Sequence, residues 1–380
     1  MEIICLSNLL QIDVQSWNEL VDPDYPFFRH EFLSALERSG CVCINTGWQT
    51  RHLLVKDQDR LLAILPVYLK YHSWGEYVFD QSWAQAYQMQ GMDYYPKALT
   101  AIPFTPCQGP RLLLKSGQAL EPILDLLLAS LQKHSEFKQI SSWHCLFPEP
   151  ILAQSLRQKG LFLRHDVQFH WFNRNYSVFE DFLRELNSGK RKMIKRERRK
   201  IIEQGICLKR FVGTEISPED WEAFYRFYAL TYQKRRSQPY LNPAFFQLLA
   251  DRMPENLLLI MAYHRDEPVA AALCFIGTKT LYGRYWGCGQ DYDALHFETC
   301  YYQGIEYCIQ QGLQHFDSGA QGEHKIARGF EPITTCSAHW IRDARFSKTI
   351  ADFVELERQH INSYKNEAAS YLPFRQMTES

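Results

Sequence analysis

The run Asp317-Ser-Gly-Ala-Gln-Gly-Glu-His324-Lys325, followed by Arg328, sets carboxylates, an imidazole and two cations in one short stretch. Its glycines, 319 and 322, permit positive φ and let another molecule approach the backbone closely. Glu323 or His324 can take up and return a proton, while Lys325 and Arg328 can hold an anion or balance charge that develops beside it. Gln321, between the two glycines, is a further candidate substrate contact. Polar residues with glycine also make ordinary loops. The place in the chain favours function, because the run follows a short strand expected over 313–316 after a helix, where α/β architectures collect ligands.

Such a loop needs neighbours that aim it. Residues 296–311 read as an amphipathic helix, with Glu298 one turn in as a second candidate catalytic carboxylate; the helix dipole alone also favours an acid there. Tyr301 and Tyr302 follow at i+3 and i+4, so one of them is expected to share the face of Glu298. Arg284 and Trp286 end the preceding strand, 280–286, and are candidate substrate contacts. Gln168 and His170 alternate along an aromatic-rich strand at 161–172 and point the same way, either lining a cleft or tying two domains together.

The pattern of elements occurs twice. A helix at 26–40, strands at 52–56, 61–70 and 75–79, a helix at 120–133 and a strand at 139–145 make the first copy. The second has a helix at 243–253, strands at 257–263, 269–276 and 280–286, the helix 296–311 and the strand 313–316. The copies lie about 200 residues apart, a duplication by pattern and not by identity. Between them, 177–204 reads as a long helix whose continuity fails around Asn187-Ser-Gly189. A helix over 348–363 and a loose polar tail close the chain.

Eight cations and one acid fall within 190–200. A solvated face is the usual account of a charge run. Here like charges four apart repel along the helix, so an anionic partner explains the run better. Lys190, Lys192, Lys195, Arg198 and Arg199 are the anion-binding candidates. The partner is a nucleotide diphosphate such as coenzyme A, the acceptor arm of a charged tRNA, or an anionic lipid surface.

At 380 residues the chain has length for two domains, expected as 1–165 and 166–380, the second carrying the basic helix 190–204 and the loop 317–330. Apolar residues make up 46% of it, which excludes a disordered scaffold, and the net charge of -1 provides no global field toward nucleic acid or membrane. Eleven scattered cysteines read as reduced core thiols, and Cys41-Val-Cys43 lacks the spacing of a zinc site, so no metal is expected. No stretch approaches the ~20 apolar residues of a transmembrane helix, and the first residues lack a signal-peptide pattern, so a cytoplasmic protein is expected. Walker-type phosphate loops do not occur. His144 and Cys145 are adjacent on a strand and point to opposite faces, which argues against a Cys/His nucleophile pair.

Six segments in order, WGEYVFDQSWAQAY (74–87), YYPKALTAIPFTPCQGPRLL (94–113), VQFHWFNRNY (167–176), KRKMIKRERRK (190–200), HFETCYYQGIEYC (296–308) and GAQGEHKIARGFEP (319–332), resemble the FemAB-like acyltransferases, relatives of the Fem peptidoglycan aminoacyltransferases. The resemblance spans nearly the whole chain. It implies an α/β (α+β) fold of two tandem GNAT-like domains, mixed central sheets flanked by helices, and the transfer of an acyl or aminoacyl group to an amine. Fem relatives carry a similarly placed basic helix in their second domain. GNAT enzymes that use acyl-CoA hold its pyrophosphate on a glycine-rich turn at a helix start. Here that junction reads Gly287-Cys-Gly-Gln-Asp-Tyr-Asp-Ala-Leu-His296, with two acids, and its counterpart at 109–117 also departs from the pattern. This favours aminoacyl-tRNA as donor, with acyl-CoA as the alternative and no tightly bound cofactor.

Acyl transfer needs a base for the attacking amine and donors for the oxyanion. Glu323 or His324, with Glu298 as the further carboxylate, is the base; Lys325 and Arg328 balance charge on a small-molecule or peptide acceptor. The aromatic stretch Trp74, Tyr77, Trp83, Tyr87 and Tyr94 reads as core more than as a stacking surface. The contrasting reading is a degenerate fold that binds peptidoglycan precursors or tRNA without turnover.

Overall fold

We describe a computed structural model of the chain over residues 1–320 and 322–375. The chain divides into two compact units, 1–166 with 334–362, and 167–333 with 363–380. It passes between them inside strand Phe162–Phe172, inside strand Glu331–Ile341 and inside the last helix, Ala344–Ser370. The continuous second half expected from the sequence is therefore interrupted, because 334–362 packs with the first unit.

In the first unit, strands Glu2–Leu6, His52–Asp57, Arg60–Leu65 and Leu113–Leu114 form one antiparallel sheet. Trp48–Thr50, Tyr68–Lys70, Lys97–Thr100, Ser142–Leu146 and strand Glu331–Ile341 follow one another in a second. The expected single strand over 61–70 is thus two strands in two sheets. Pro66 lies between them and supplies no ladder donor. No strand forms at 75–79, since Gly75 and Tyr77 take φ of +81° and +61° and the Glu76 carboxylate turns inward to Lys97 at 2.7 Å. The structure puts Lys97–Thr100 in that role, parallel to Ser142–Leu146, with helix Leu120–Lys133 as the crossover. Leu124, Leu127 and Leu131 of that helix join Leu53, Ala63, Trp143 and Leu156 in the core.

The second unit repeats this plan. Strands Ile206–Val212, Leu257–His264, Glu267–Ile276 and Thr280–Cys288 run antiparallel in order, then His315–Asp317 lies parallel to Thr280–Cys288 and antiparallel to the 170–172 part of strand Phe162–Phe172. Again a helix between the parallel strands, 295–311, is the crossover, and it widens into π-type turns over Glu298–Tyr302. Helix Pro218–Lys234 lies so close to strand Thr280–Cys288 that a Cβ on Gly287 would stand 2.0 Å from the Phe227 carbonyl oxygen. All eleven cysteines are free thiols. Among the described residues no helix is long and apolar enough to cross a membrane.

The long helix expected over 177–204 is two helices, Phe179–Glu185 and Ser188–Glu203, with extended backbone at Leu186 and Asn187. The Asn187 side chain caps the second, accepting from the Lys190 N–H at 3.0 Å. The break is filled by the tail expected to be loose: Asn187 N–H donates to Pro373 O at 2.8 Å and Arg375 N–H to Glu185 O at 2.9 Å. The last helix also runs longer than expected, as Ala344–Ser370.

Gly287→Ala is expected to lower stability by about 2 kcal/mol or more, because two backbones must separate, and to reduce the melting temperature by about 5 °C. An unchanged melting curve would show that the helix and strand separate freely.

Candidate active site

Strand His315–Asp317 ends on a carboxylate that the sheet buries. Asp317 is paired by Arg284 from the neighbouring strand, Nη2 to Oδ2 at 2.5 Å and Nη1 to Oδ1 at 3.2 Å, with both side chains about 2% exposed. Arg284 and this pairing hold the carboxyl far below the usual range against the opposing effect of burial. The Gly319 N–H donates to Asp317 Oδ1 at 2.9 Å, and His170, its partner across the ladder, stands 3.6 Å away by Nε2. Burial keeps that imidazole below its ordinary pKa. Gln168 is buried two residues back on the same strand.

From Asp317 the chain turns through Gly319 and Gly322, at φ of +89° and +111°, into a short 3₁₀ helix, Glu323–Arg328. Gln321 lies outside the described residues. Lys325 folds back under the turn and donates from Nζ to Gly319 O at 2.7 Å and Ser318 O at 3.2 Å. Its burial pulls the ammonium down to about 8. Arg328 donates to Glu197 Oε1 at 2.7 Å, Tyr302 Oη at 3.0 Å and His324 O at 2.7 Å, with its guanidinium 3.4 Å from the Phe297 ring centroid. Both cations expected to meet substrate thus direct these donors inward and shape the loop.

His324 and Glu323 remain at the surface. His324 Nε2 is 2.8 Å from Tyr301 Oη, and its ring lies among Phe297, Tyr301 and His296, at centroid distances of 5.6, 5.6 and 5.8 Å. Partial burial, then Arg328 and Lys325, lower its pKa, so the imidazole is neutral at pH 7. Burial raises the Tyr301 phenol, which stays protonated. His296, stacked edge-on to Trp286 at 5.3 Å, is pushed down to about 4 by burial. Glu323 accepts from the Tyr364 hydroxyl at 2.8 Å.

Glu298 and Arg198, assigned from the sequence to separate catalytic and anion-binding sets, bind each other at 3.1 Å. Glu298 is buried, Arg198 also reaches Glu306 at 3.2 Å, and Gln303 donates to Glu298 at 2.7 Å. That i+5 contact follows from the π-type winding, in place of the i+3 or i+4 neighbour expected from α-helical spacing. Tyr302 instead donates to Glu197. Of the other basic residues, Lys195 pairs with Glu180 at 3.1 Å, Arg199 with Glu203 at 3.4 Å, and Lys200 with Asp293. Lys190 occupies the first turn of its helix. Lys192 and Arg196 have no ion-pair partner among the described residues, and with Gly189, Met193, Lys195 and Arg199 they line a depression of about 460 Å³. The junction after strand Thr280–Cys288 is closed: Asp293 N–H donates to Gln204 Oε1 at 3.1 Å, Leu295 N–H to Tyr292 O and Gly289 N–H to Val269 O. Glu197, Phe297 and Tyr364 were not foreseen. Glu197 left a signal as the lone acid of the basic run; Tyr364, in the last helix, left none.

The fold that carries these residues has solved counterparts. The structure resembles the crystal structure of FemX, with a TM-score of 0.55 at 11% identity over 92% of this chain and 100% of that one. It also resembles the C-terminal domain of a putative lysylphosphatidylglycerol synthetase from Agrobacterium fabrum, at 0.54 and 8% over 92% and 97%, and L-PGS from Bacillus licheniformis, at 0.51 and 9% over 89% and 97%. A search of curated protein sequences gave no match. Residues 8–376 match the FemAB-like family, described as peptidoglycan biosynthesis/recognition, and the chain belongs to that family. Membership supports a transferase of acyl or aminoacyl groups.

Asp317→Asn leaves Arg284 buried without its counter-charge and is expected to cost about 3–5 kcal/mol at pH 7. Because the folded carboxyl titrates below its unfolded value of about 3.9, this stability is present above that value and is lost as pH falls through the folded pKa. Urea melts of variant and wild type at pH 7 and near pH 3 should therefore converge toward acid; a constant gap would mean that the ion pair is not the source.

Proposed function

We propose that the chain moves an aminoacyl group from a charged tRNA to the amine of a peptidoglycan-type acceptor, with His324 as the base. The observation that carries this is the neutral imidazole at the surface of a loop whose two neighbouring cations are already engaged. With its Nε2–H donated to Tyr301 Oη, the ring is fixed and Nδ1 is the atom that takes the proton from the attacking nitrogen. Glu323, held by Tyr364, supplies a carboxylate for the ammonium form of the acceptor. Arg328, under His324 and against Phe297, adds positive potential where the tetrahedral oxyanion would form.

Two observations support tRNA over coenzyme A as donor. The backbone N–H groups of Gly289, Asp293 and Leu295, where a diphosphate would be cradled, are spent within the protein, and Asp291 and Asp293 add negative charge. The depression at Lys192 and Arg196, which have no ion-pair partner among the described residues, suits phosphodiester oxygens.

His324→Ala is expected to lower the transfer rate by about 10²–10⁴-fold with tRNA affinity kept. In the wild type the acid limb of kcat/KM should lie below the ordinary histidine value, since the lowered pKa keeps the base unprotonated to lower pH. A histidine variant with undiminished turnover removes His324 from the mechanism. The donor is checked by thermal shift with tRNA, coenzyme A and acetyl-CoA. Lys192→Glu with Arg196→Glu should reduce both the shift by tRNA and its salt dependence; a shift by coenzyme A alone would overturn the donor assignment.

A further inference from the structure

The first unit contains a second chain of proton-carrying groups, which the transfer reaction above does not use. Strand alternation puts Ser337 and His339 on one face of strand Glu331–Ile341, and Ser142 and His144 on one face of its antiparallel neighbour, with His144 opposite His339. Ser337 Oγ lies 2.7 Å from His339 Nε2, and the two Nδ1 atoms of His339 and His144 face each other at 2.5 Å. His144 Nε2 is 2.7 Å from Ser142 Oγ and 3.2 Å from Tyr94 Oη. Tyr94 donates to Asp80 Oδ2 at 2.6 Å, and Lys97 Nζ pairs with the same oxygen at 2.5 Å. All of these groups are buried.

Facing Nδ1 atoms can share only one hydrogen. Tyr94 donates to ionised Asp80, so its oxygen can accept from His144 Nε2–H, a hydrogen that Ser142 Oγ, at 2.7 Å, can also accept. In that arrangement His144 Nδ1 accepts from His339 Nδ1–H, and His339 Nε2 accepts from the Ser337 hydroxyl.

Ser337 stands on the wall of a cavity of about 110 Å³, with Thr335, Arg164, His165, Phe79 and Glu357 also in the lining. A bulk water occupies ~30 Å³, so the space admits an acyl group of a few heavy atoms and not a bulky donor. Arg164 and Glu357 hold each other through two contacts of 2.7 Å, which offsets their charges and suits an uncharged group. Thr335 is wholly buried on the same strand face as Ser337, and its hydroxyl has no hydrogen-bond partner among the described residues.

We propose that Ser337 is a nucleophile that takes a small acyl group from an activated ester, with Thr335 as a donor to the carbonyl oxygen. The Ser337 Oγ–carbon bond forms as its proton passes to His339 Nε2, while His144, Tyr94 and ionised Asp80 hold the tautomer of that ring and offset its charge. The ester C–O bond then breaks and the reverse movement protonates the leaving oxygen, giving acyl-Ser337 and the free alcohol. Burial lowers the pKa of both imidazoles, His144 to about 3, so His339 returns its proton readily to the leaving oxygen.

The test is to treat the full chain with a fluorophosphonate ester and map the adduct by peptide mass spectrometry, Ser337 Oγ replacing fluoride on phosphorus. Labelling of Ser337, its absence in Ser337→Ala, and at least tenfold slower labelling in His339→Gln and Tyr94→Phe with unchanged near-UV circular dichroism are expected. Tyr94→Phe should also change the pH profile of labelling, which a purely structural role would not do. A folded wild type left unlabelled at Ser337, or His339→Gln labelling at the wild-type rate, overturns the proposal; the wild-type measurement stands without any variant.

Discussion

A buried carboxylate at the end of strand His315–Asp317 sets the conditions for the loop that follows. Asp317 cannot remain ionised in the sheet without a partner, and Arg284 reaches it from the adjacent strand by register. Its remaining lone pairs draw in the Gly319 N–H, which fixes the direction of the first bend. Lys325 then closes the loop from beneath by binding the Ser318 and Gly319 carbonyls. The ion pair therefore shapes the chain several residues away, where the His324 and Glu323 side chains are exposed.

The basic helix obeys the same rule of local neutralisation in part. Glu197 and Glu298 take Arg328 and Arg198 on the inner side. Lone acids in basic runs are easily read as incidental, yet Glu197 binds both Tyr302 and Arg328 and so joins the helix to the loop. Lys195 and Arg199 pair with Glu180 and Glu203, whereas Lys192 and Arg196 have no ion-pair partner among the described residues, so like charges repel there along the helix.

Much of the architecture was legible because it rests on short-range rules. Alternation gave the strands around 257–288, and the doubt at Asn187 lay beside an actual helix cap. The failures have physical causes. Residues 75–79 look strand-like, but a buried ion pair pulls Glu76 inward, which no periodicity reports. The π-type turns at Glu298–Tyr302 shift partners by one position, and α-helical spacing conceals that shift. His144 was weighed only against its neighbour Cys145, whereas its partner His339 is 195 residues away and becomes adjacent only through strand pairing. The loop residues were recognisable as chemistry; which of them face outward depended on partners such as Tyr364 and Glu197 from distant segments.

The two units share a parallel crossover yet bury polarity differently, and this separates their chemistry. In the first, Lys97 lies between Glu76 and Asp80, and Glu76 is pushed up to about 7 mainly by burial. The side chains of that cluster are buried, and one hydrogen-bonded path leads from Asp80 through Tyr94 and the two histidines to Ser337. In the second unit the corresponding strand end is locked by Arg284 with Asp317, and the titratable imidazole stands on the surface beyond it. An imidazole at the surface can exchange its proton with solvent directly, whereas one in the buried set must pass it between side chains.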